Sequence, residues 1–293
     1  MPELPEVETV RRGLVPVLEG ARFTRVEQRR PDLRFPFPVD FAKRLKGRQV
    51  ERLERRAKYL LAWLDDGEAL AMHLGMSGRF TIENGGGGNI VPGEFVHDAG
   101  QDAKHEHVVF TMSNGAVIRY NDARRFGYMT LIEPGGLPQH PLFRGLGAEP
   151  LSHEMTPAYL AQRASGRMTS LKAFLLDQRV IAGVGNIYAC EALYRAHLSP
   201  FRPASVLATA KETPTPAAKK LAEAIRSVLE DAIVAGGSSL RDYRQADGSL
   251  GYFQHRFAVY GREGEACPRG CGGVVERVVQ NGRSTFYCPS CQK

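Results

Sequence analysis

The sequence predicts an α+β protein of several domains, with a β-rich N-terminal part, a helical part and a short β element at the C-terminal end. Short apolar runs with β-type alternation fill residues 22–133, and apolar positions recur at helical spacing from about residue 156 to residue 235. The alternating pattern returns in residues 253–293. The 293 residues are enough for two domains of ordinary size.

The N-terminal part is predicted to be a helix followed by a β-sandwich or barrel. Val7, Val10 and Leu14 recur at helical spacing, so we expect a helix from about Pro5 to Leu18. Six short runs then predict strands: Gln49–Arg55, Tyr59–Leu64, Ala69–Leu74, Val108–Met112, Ala116–Tyr120 and Tyr128–Ile132. Two hairpin turn signals separate some of these runs: Asp66-Gly67 and Asn114-Gly115.

The helical part is predicted to follow a linker rich in glycine and proline. Thr156 and Thr169 can cap two helices, a third begins at Asn186, and a fourth runs from about Pro216 to Ala235. The predicted parts are an N-terminal domain at 1–134, the linker at 135–151, a helical domain at 152–252 and a terminal β element at 253–293.

Charge is concentrated near the N-terminal end. Between Arg11 and Lys58 there are fifteen Lys/Arg against six Asp/Glu, whereas the whole chain has a net charge of +7. A basic surface of this kind attracts polyanions, although a solvated basic face explains the same count. No apolar run is long enough for a membrane span and no secretion signal is evident, so a cytoplasmic protein with no membrane partner is expected.

Four of the five cysteines lie in the last 27 residues, in the order Cys267-x3-Cys271-x16-Cys288-x2-Cys291. Two close thiolate pairs suit one tetrahedral Zn²⁺, and four cysteine ligands leave no open position for chemistry. Between the pairs, two alternating runs flank Asn281-Gly282, a favoured hairpin turn. The sequence therefore predicts a zinc ribbon with one structural Zn²⁺, and the remaining Cys190 as a buried small side chain.

The N-terminal residues could supply a nucleophile. A small second residue permits removal of the initiator methionine, which would leave Pro2 as a free secondary amine. An α-amino group titrates near pH ~8, against ~10.4 for lysine, so an appreciable fraction is neutral at pH 7. Such an amine can attack a sugar C1′ and form an iminium, while the adjacent Glu3 could move a proton. Taken alone the motif is weak, because most prolines at this position are inert.

Two further segments could contact phosphate. Arg55-Arg56-Ala57-Lys58 opens a strand, and Lys58 could hold a phosphate as a point charge. Gly183-Val184-Gly185-Asn186 feeds a helix with Asn186 at its cap, and open N–H groups at a helix N-terminus bind phosphates. The alternative for the first segment is an ordinary solvated strand edge, and the alternative for the second is a plain helix–turn–helix corner.

Two Gly-flanked loops carry bulky or cationic side chains. They are His73–Gly78, which contains Met76, and Asn121–Gly127, which contains Arg124 and Phe126. Enzymes that flip a base need side chains of this type to fill the vacated stack, and core packing is the alternative.

Together these segments resemble the formamidopyrimidine-DNA glycosylase family from residue 2 to residue 291. The motifs that carry the resemblance are, in order, Pro2–Thr9, Arg56–Leu60, His73–Gly78, Arg124–Gly127, Gly183–Ala189 and the cysteine ribbon. The sequence departs from the family pattern in the x3 spacing of the first cysteine pair, where x2 is commoner, and in the long Gly-rich segment Asn84–Gly100, for which a mobile loop is expected.

The resemblance implies an N-terminal β-sandwich with flanking helices and a helix–two-turn–helix domain that ends in the zinc ribbon, with damaged double-stranded DNA in the cleft between them. It implies a bifunctional DNA glycosylase/AP lyase of base-excision repair, working as a monomer on oxidised purines such as 8-oxoguanine and formamidopyrimidines. Pro2 would form a Schiff base at C1′, Glu3 would donate and accept a proton, and β,δ-elimination would cut the strand.

The resemblance also implies the remaining site residues. Lys58 would contact phosphate and assist elimination, and Arg283 would grip the DNA backbone from the ribbon. Met76, Arg124 and Phe126 would fill the gap left by the everted base, with Arg124 facing the orphaned cytosine. Further implied DNA contacts are His73, His105, Arg167, Lys172, Asn186 and Tyr260. A loop from about Ser238 to Tyr252, with hinges at Gly248 and Gly251, would cover the lesion.

Two rival functions fit part of the pattern. Endonuclease VIII removes oxidised pyrimidines by the same chemistry, but its N-terminus has glycine where this chain has Leu4, and it lacks the Arg124–Gly127 motif. A non-catalytic zinc-ribbon protein that binds damaged DNA would need neither Pro2 nor Glu3.

Overall fold

The computed structural model describes residues 2–83, 103–238 and 253–293. These residues form two compact units, one within Met1–Arg144 and Ala235–Gln254 and the other within Gly145–Val234 and His255–Lys293. The four-part division of the chain stays a prediction.

Two of the predicted loops lie outside the described residues or almost entirely so. The Gly-rich loop Asn84–Gly100 lies outside the described residues, as does the lesion-covering loop with Gly248 and Gly251, apart from its first residue, Ser238. Within the described residues, no helix combines the length and apolar character that crossing a membrane requires.

In its described residues the first unit holds two α-helices and two antiparallel four-stranded sheets. The helices are α1 (Leu4–Leu18) and α2 (Phe41–Leu45). The strands are β1 (Phe23–Gln28), β2 (Val50–Arg56), β3 (Tyr59–Leu64), β4 (Ala69–His73), β5 (Arg79–Glu83), β6 (Glu106–Met112), β7 (Val117–Asn121) and β8 (Tyr128–Ile132). One sheet has the order β1-β6-β7-β5 and the other has the order β2-β3-β4-β8. The second sheet therefore joins three consecutive strands to β8, and the first places the consecutive strands β6 and β7 between β1 and β5.

One apolar core joins both sheets and α1, which confirms the predicted sandwich. Phe23 and Phe110 meet edge to face at 5.2 Å between ring centroids in one sheet. Leu60 of the other sheet and Leu14 of α1 are fully buried in the same cluster. The predicted helix and all six predicted strands are present, with bounds that differ by at most two residues and agree fully for β3 and β8. Strands β1 and β5 and helix α2 were not predicted individually.

The second unit holds four helices and a hairpin. They are α3 (Pro157–Ala164), α4 (Leu171–Leu176), α5 (Asn186–Arg195) and α6 (Pro216–Val234), followed by β9 (Glu276–Gln280) and β10 (Arg283–Tyr287). Helix α5 packs on α4, α6 and β10, so it is the central element of the unit.

Helix capping in the second unit partly follows the sequence prediction. The Thr156 hydroxyl accepts the Tyr159 N–H at 3.1 Å and begins α3 as predicted. Helix α5 begins at Asn186 as predicted, although Gly185 and not Asn186 occupies its N-cap position. The cap of α4 is Ser170, one residue after the predicted Thr169. Asn281-Gly282 forms the predicted hairpin turn, with positive φ at both residues.

Candidate DNA-repair site

The N-terminal segment is fixed at the start of α1. Pro2 and Glu3 are buried, and the Glu3 N–H donates to the Glu6 carboxylate at 2.9 Å. The other Glu6 oxygen accepts the Ser238 N–H at 2.8 Å and the Ser238 hydroxyl at 3.0 Å. A Cβ on Gly237 would lie only 3.1 Å from this oxygen. One buried carboxylate therefore holds both the N-terminal residues and the residue that precedes the undescribed segment 239–252.

Helix α1 runs along β2 in a direction that brings Pro2 towards Lys58. Arg11 donates to the Leu53 carbonyl at 3.1 Å, and one turn earlier Glu8 pairs with Arg55 at 3.3 Å. From this alignment we infer that the start of α1 lies near the end of β2. Lys58 follows β2 and is buried in the β2–β3 turn.

Charge pairing stabilises this alignment. Burial alone would raise the pKa of Glu8, but hydrogen bonds and charges from Arg11, Arg12 and Arg55 lower it below its ordinary value. The Glu8 carboxylate is therefore ionised at neutral pH and keeps α1 attached to β2.

His73 lies beside Lys58 because β3 and β4 pair in antiparallel register. Tyr59 is opposite His73, and the His73 ring stacks on Tyr128 with an interplanar angle of 11°. Burial, helped by the positive charges of Lys58 and Arg34, lowers the pKa of His73 to about 4. The ring is neutral at pH 7. Its Nδ1 accepts the Gly75 N–H at 3.0 Å, which leaves the proton on Nε2 as a donor.

A pocket of about 370 Å³ opens next to His73, lined by Arg34, His73, Gly75, Met76 and Phe126. Phe126 is 43% exposed, which is unusual for a large apolar side chain, and the Arg124 guanidinium lies 5.0 Å from the centre of its ring. Met76 and Phe126 therefore line an open pocket instead of packing in the core.

The two loops that carry these side chains touch at backbone level. A Cβ on Gly75, which has φ +65°, would lie 2.3 Å from the Gly127 nitrogen and from the Phe126 carbonyl carbon. Only glycine fits at this position, because the clash would be with backbone and a positive φ disfavours other residues.

Asp122 holds the same two loops together. Its carboxylate is fully buried and accepts the Ser77 hydroxyl at 2.5 Å and the Gly127 N–H at 2.8 Å. The Ser77 oxygen in turn accepts the Arg124 N–H at 3.1 Å. The Asp122 N–H donates to the His105 carbonyl at 3.0 Å, which places His105 at the same cluster.

In the second unit, buried polar side chains anchor the ribbon strand that begins at Arg283. The Lys172 ammonium donates to the Ser284 carbonyl at 2.8 Å and to the Thr285 hydroxyl at 2.7 Å. The Asn186 amide donates to the same Ser284 carbonyl at 2.9 Å. Arg283 itself is exposed.

The position of Lys172 disagrees with its expected role as a DNA-backbone contact. Its side chain is 1% exposed, and burial lowers its pKa from the ordinary value for lysine. The lysine is a buried support for the residues that follow Arg283.

Tyr260 and Arg167 have different surroundings. The Tyr260 ring packs on Phe286 of β10 at 4.8 Å, and its N–H donates to the buried Glu191 carboxylate at 2.9 Å. Arg167 is 38% exposed and lies 3.8 Å from Asp177, away from the contacts that hold β10.

The four predicted metal ligands converge. The sulfurs of Cys267, Cys271, Cys288 and Cys291 all lie within 4.8 Å of one another, with 3.8 Å between Cys267 and Cys291 and 3.6 Å between Cys271 and Cys288. Four sulfurs at about 2.3 Å from a tetrahedral Zn²⁺ are separated by roughly 3.8 Å, so the cluster fits one zinc ion.

Several supporting residues were not predicted from the sequence. They are Glu6, Arg34, Ser77, Asp122 and Glu191. The sequence signal available for Asp122 was its place between a strand and a Gly-flanked loop, but its partner Ser77 lies 45 residues earlier and only the fold brings the two together.

Comparison with known proteins gives a consistent result over the whole chain. Family models match as follows: the formamidopyrimidine-DNA glycosylase N-terminal domain at residues 1–129, the H2TH domain of the same enzyme at 146–244, and the zinc finger found in FPG and IleRS at 264–293. A formamidopyrimidine-DNA glycosylase from Beijerinckia indica subsp. indica is 63% identical, with all of both chains covered.

Solved structures agree with the sequence comparisons. The crystal structure of the MutM (Fpg) protein from Thermus thermophilus is 42% identical with a TM-score of 0.82 and covers 99% of this chain and 98% of that chain. A complex between Lactococcus lactis Fpg and DNA containing an abasic site is 30% identical with a TM-score of 0.82 and covers 99% of both chains.

Proposed function

The chain belongs to the formamidopyrimidine-DNA glycosylase family, and on that premise we propose that Pro2, freed as the N-terminal amine after loss of Met1, is its nucleophile. The protein is a bifunctional DNA glycosylase/AP lyase of base-excision repair that excises oxidised purines and contains a zinc finger. The observation that carries the proposal for Pro2 is its burial at the start of α1, where the N–H of the next residue, Glu3, is bonded to the Glu6 carboxylate.

The proposed chemistry starts from the free amine of Pro2. The neutral Pro2 nitrogen attacks C1′ of the damaged nucleotide, the N-glycosidic bond breaks, and its electron pair leaves with the base as a proton is delivered. The secondary amine then forms an iminium with the opened sugar, from which β- and δ-elimination release the two phosphate ends. Glu3 donates and accepts the protons because it is adjacent to the nucleophile and shares its fixed backbone.

Two further groups support this chemistry from the first unit. We assign Lys58 to a phosphate next to the lesion, where a point charge favours departure of the phosphate during elimination. His73 donates from Nε2 to the DNA backbone as a neutral imidazole, since its pKa of about 4 keeps the proton off Nδ1 at working pH.

The pocket beside His73 supports a role in filling the DNA stack. Met76 and Phe126 are apolar and accessible, and Arg124 lies over the Phe126 ring, so the three can enter a duplex from which a base has been everted. Arg124 then offers donors to the orphaned cytosine, and His105 stays a proposed backbone contact.

In the second unit, Arg283, Asn186 and Tyr260 are proposed DNA contacts around the ribbon strand, with Arg283 gripping the phosphate involved in δ-elimination. Arg167 keeps its proposed contact because its guanidinium is partly exposed. Lys172 is reassigned from a DNA contact to the buried support of Arg283. The partner is double-stranded DNA with a damaged base, and a cytoplasmic monomer is part of the proposal.

The N-terminal residue can be tested by borohydride trapping on a duplex with one 8-oxoguanine opposite cytosine, followed by peptide mapping. We expect the trapped sugar on Pro2 of a chain that lacks Met1. The matched control is a chain with an uncleavable N-terminal extension, in which the Pro2 nitrogen is part of a peptide bond, is no longer a free amine and should not trap. Trapping on Lys58, or in the extended chain, would overturn the assignment of Pro2.

The same assay separates the rival functions. An endonuclease VIII activity would trap on an oxidised-pyrimidine duplex and leave the 8-oxoguanine duplex uncut. A non-catalytic damage-binding protein would bind both duplexes and trap on neither.

A further inference from the structure

Two side chains donate hydrogen bonds to the zinc-binding sulfurs. The Tyr194 hydroxyl lies 3.4 Å from the Cys267 sulfur, and the Arg269 guanidinium lies 3.6 Å from the Cys291 sulfur. When zinc is bound the cysteines are thiolates and can only accept, so the tyrosine hydroxyl must be the donor in its pair.

These two donors are held in place by each other and by α5. The Arg269 guanidinium carbon lies 3.9 Å from the centre of the Tyr194 ring, and a second guanidinium nitrogen donates to the Arg195 carbonyl at 3.2 Å. Tyr194 belongs to α5, and Arg195 is the last residue of that helix. A cation at the C-terminal end of a helix is favourable, because the last carbonyls have no partner within the helix.

The bonds also fall on sulfurs in different surroundings. Cys267 and Cys288 are buried and Cys291 is half-buried, while Cys271 is exposed and can be hydrated. Four thiolates around a divalent cation carry excess negative charge. A thiolate that is removed from water needs a donor, and a nearby guanidinium offsets part of the charge.

We propose that Tyr194 and Arg269 are positioning residues for the zinc ion: they stabilise the zinc-bound thiolates and attach the metal site to α5. The attachment matters for DNA binding, because α5 begins at Asn186, which holds the Ser284 carbonyl next to Arg283. Zinc retention and the position of Arg283 therefore depend on the same helix.

The experiment measures zinc affinity of the full-length protein by competition with a chromophoric chelator. Tyr194→Phe keeps the ring and removes the donor, whereas Arg269→Met keeps the stem and removes the guanidinium. Each should weaken zinc binding about 10- to 100-fold, the usual effect of losing a hydrogen bond to a metal ligand. The Co²⁺-substituted variants should show sulfur-to-metal charge-transfer bands at longer wavelength, because an unbonded thiolate is easier to oxidise.

Two residues of the same hairpin provide matched controls. The Tyr287 hydroxyl donates to Glu276 at 2.9 Å, and Arg277 lies over the Phe286 ring at 6.0 Å. Tyr287→Phe and Arg277→Met should leave zinc affinity and the cobalt spectrum unchanged. The proposal is overturned if Tyr194→Phe and Arg269→Met bind zinc as tightly as the wild type with unshifted bands, or if the control variants weaken zinc binding equally.

Discussion

Replacing Asp122 with asparagine should loosen the two loops that carry Met76, Arg124 and Phe126. The substitution preserves volume, but an amide has one acceptor oxygen where the carboxylate has two. The carboxylate accepts the Ser77 hydroxyl, the Gly127 N–H and, at 3.3 Å, the Tyr120 hydroxyl. In Asp122→Asn, one side of the group turns from acceptor to donor and at least one of these bonds is lost.

The magnitude follows from the type of bond. Hydrogen bonds to a buried charged group contribute about 1.5–3 kcal/mol each, against about 1 kcal/mol for neutral pairs. The desolvation cost of the carboxylate is removed at the same time, which offsets part of the loss. We expect Asp122→Asn to lower the free energy of unfolding by about 2 kcal/mol.

Guanidinium chloride unfolding gives the stability change, and single-turnover excision opposite cytosine and opposite adenine gives the functional change. Asp122→Asn should reduce the preference for cytosine, because Arg124 is held through Ser77. Asp66→Asn is the matched control: Asp66 accepts the Glu68 N–H at 3.1 Å in a hairpin turn and pairs with Arg48 at 2.9 Å at the surface. Because a surface ion pair contributes about 0–1 kcal/mol, this variant should lose less stability than Asp122→Asn and keep the preference for cytosine.

A double-mutant cycle tests the linkage directly. Ser77→Ala combined with Asp122→Asn should show a coupling of about 1–2 kcal/mol, because both changes break the same bond. Strictly additive effects, or an Asp122→Asn variant as stable and as selective as the wild type, would refute the reasoning.

Three further predictions concern buried polar groups. Glu6→Gln places an amide N–H₂ against either the Glu3 N–H or the donors of Ser238, so single-turnover excision should fall by about 10- to 100-fold while DNA affinity changes little. Lys172→Met should leave unchanged the slope of log K for DNA binding against log salt concentration, whereas Arg283→Met should reduce that slope by about the value of one phosphate contact. An equal reduction in Lys172→Met would restore the role of Lys172 as a DNA contact. The pKa of His73 is about 4 in the folded protein, below its value of about 6.5 in the unfolded chain. Only the unfolded state therefore takes up a proton as the pH falls from about 6.5 to about 4, and the free energy of unfolding should drop by about 3 kcal/mol across that window. Its slope against pH should be steeper in the wild type than in His73→Gln.

The elements that the sequence predicts well are those with a local signal. Helix α1 shows apolar residues at helical spacing, and the zinc ribbon shows two cysteine pairs around a turn dipeptide. Strand β1 gave no such signal, because four of its six residues, Thr24, Arg25, Glu27 and Gln28, are polar and it lies at a sheet edge. Its pairing with β6 depends on residues about eighty positions away.

The site shows the same division between local and distant causes. The residues proposed to meet the DNA lie in short motifs that are visible in sequence, such as Pro2-Glu3 and Arg124–Gly127. The sequence predicted Lys172 as a DNA contact, whereas the structure shows it as a buried support. Its burial depends on Ser284 and Thr285, which lie 112 and 113 residues later. A lysine in a motif cannot be sorted into a buried support or a phosphate contact until its partner strand is known.

Three of the segments that carry proposed DNA-contacting groups share one form of support. Glu6 holds the N-terminal residues, Asp122 holds the two loops that carry Met76 and Phe126, and Lys172 holds the strand that begins at Arg283. In each case a buried charged group bonds to backbone atoms as well as to a side chain, so it constrains the chain path itself. A charge is suited to this because it satisfies two or three partners at once, and because each bond is stronger than a neutral one. Apolar packing alone would leave the backbone groups of these segments unpaired, and in a site that must keep its geometry on DNA those are the groups that would move first.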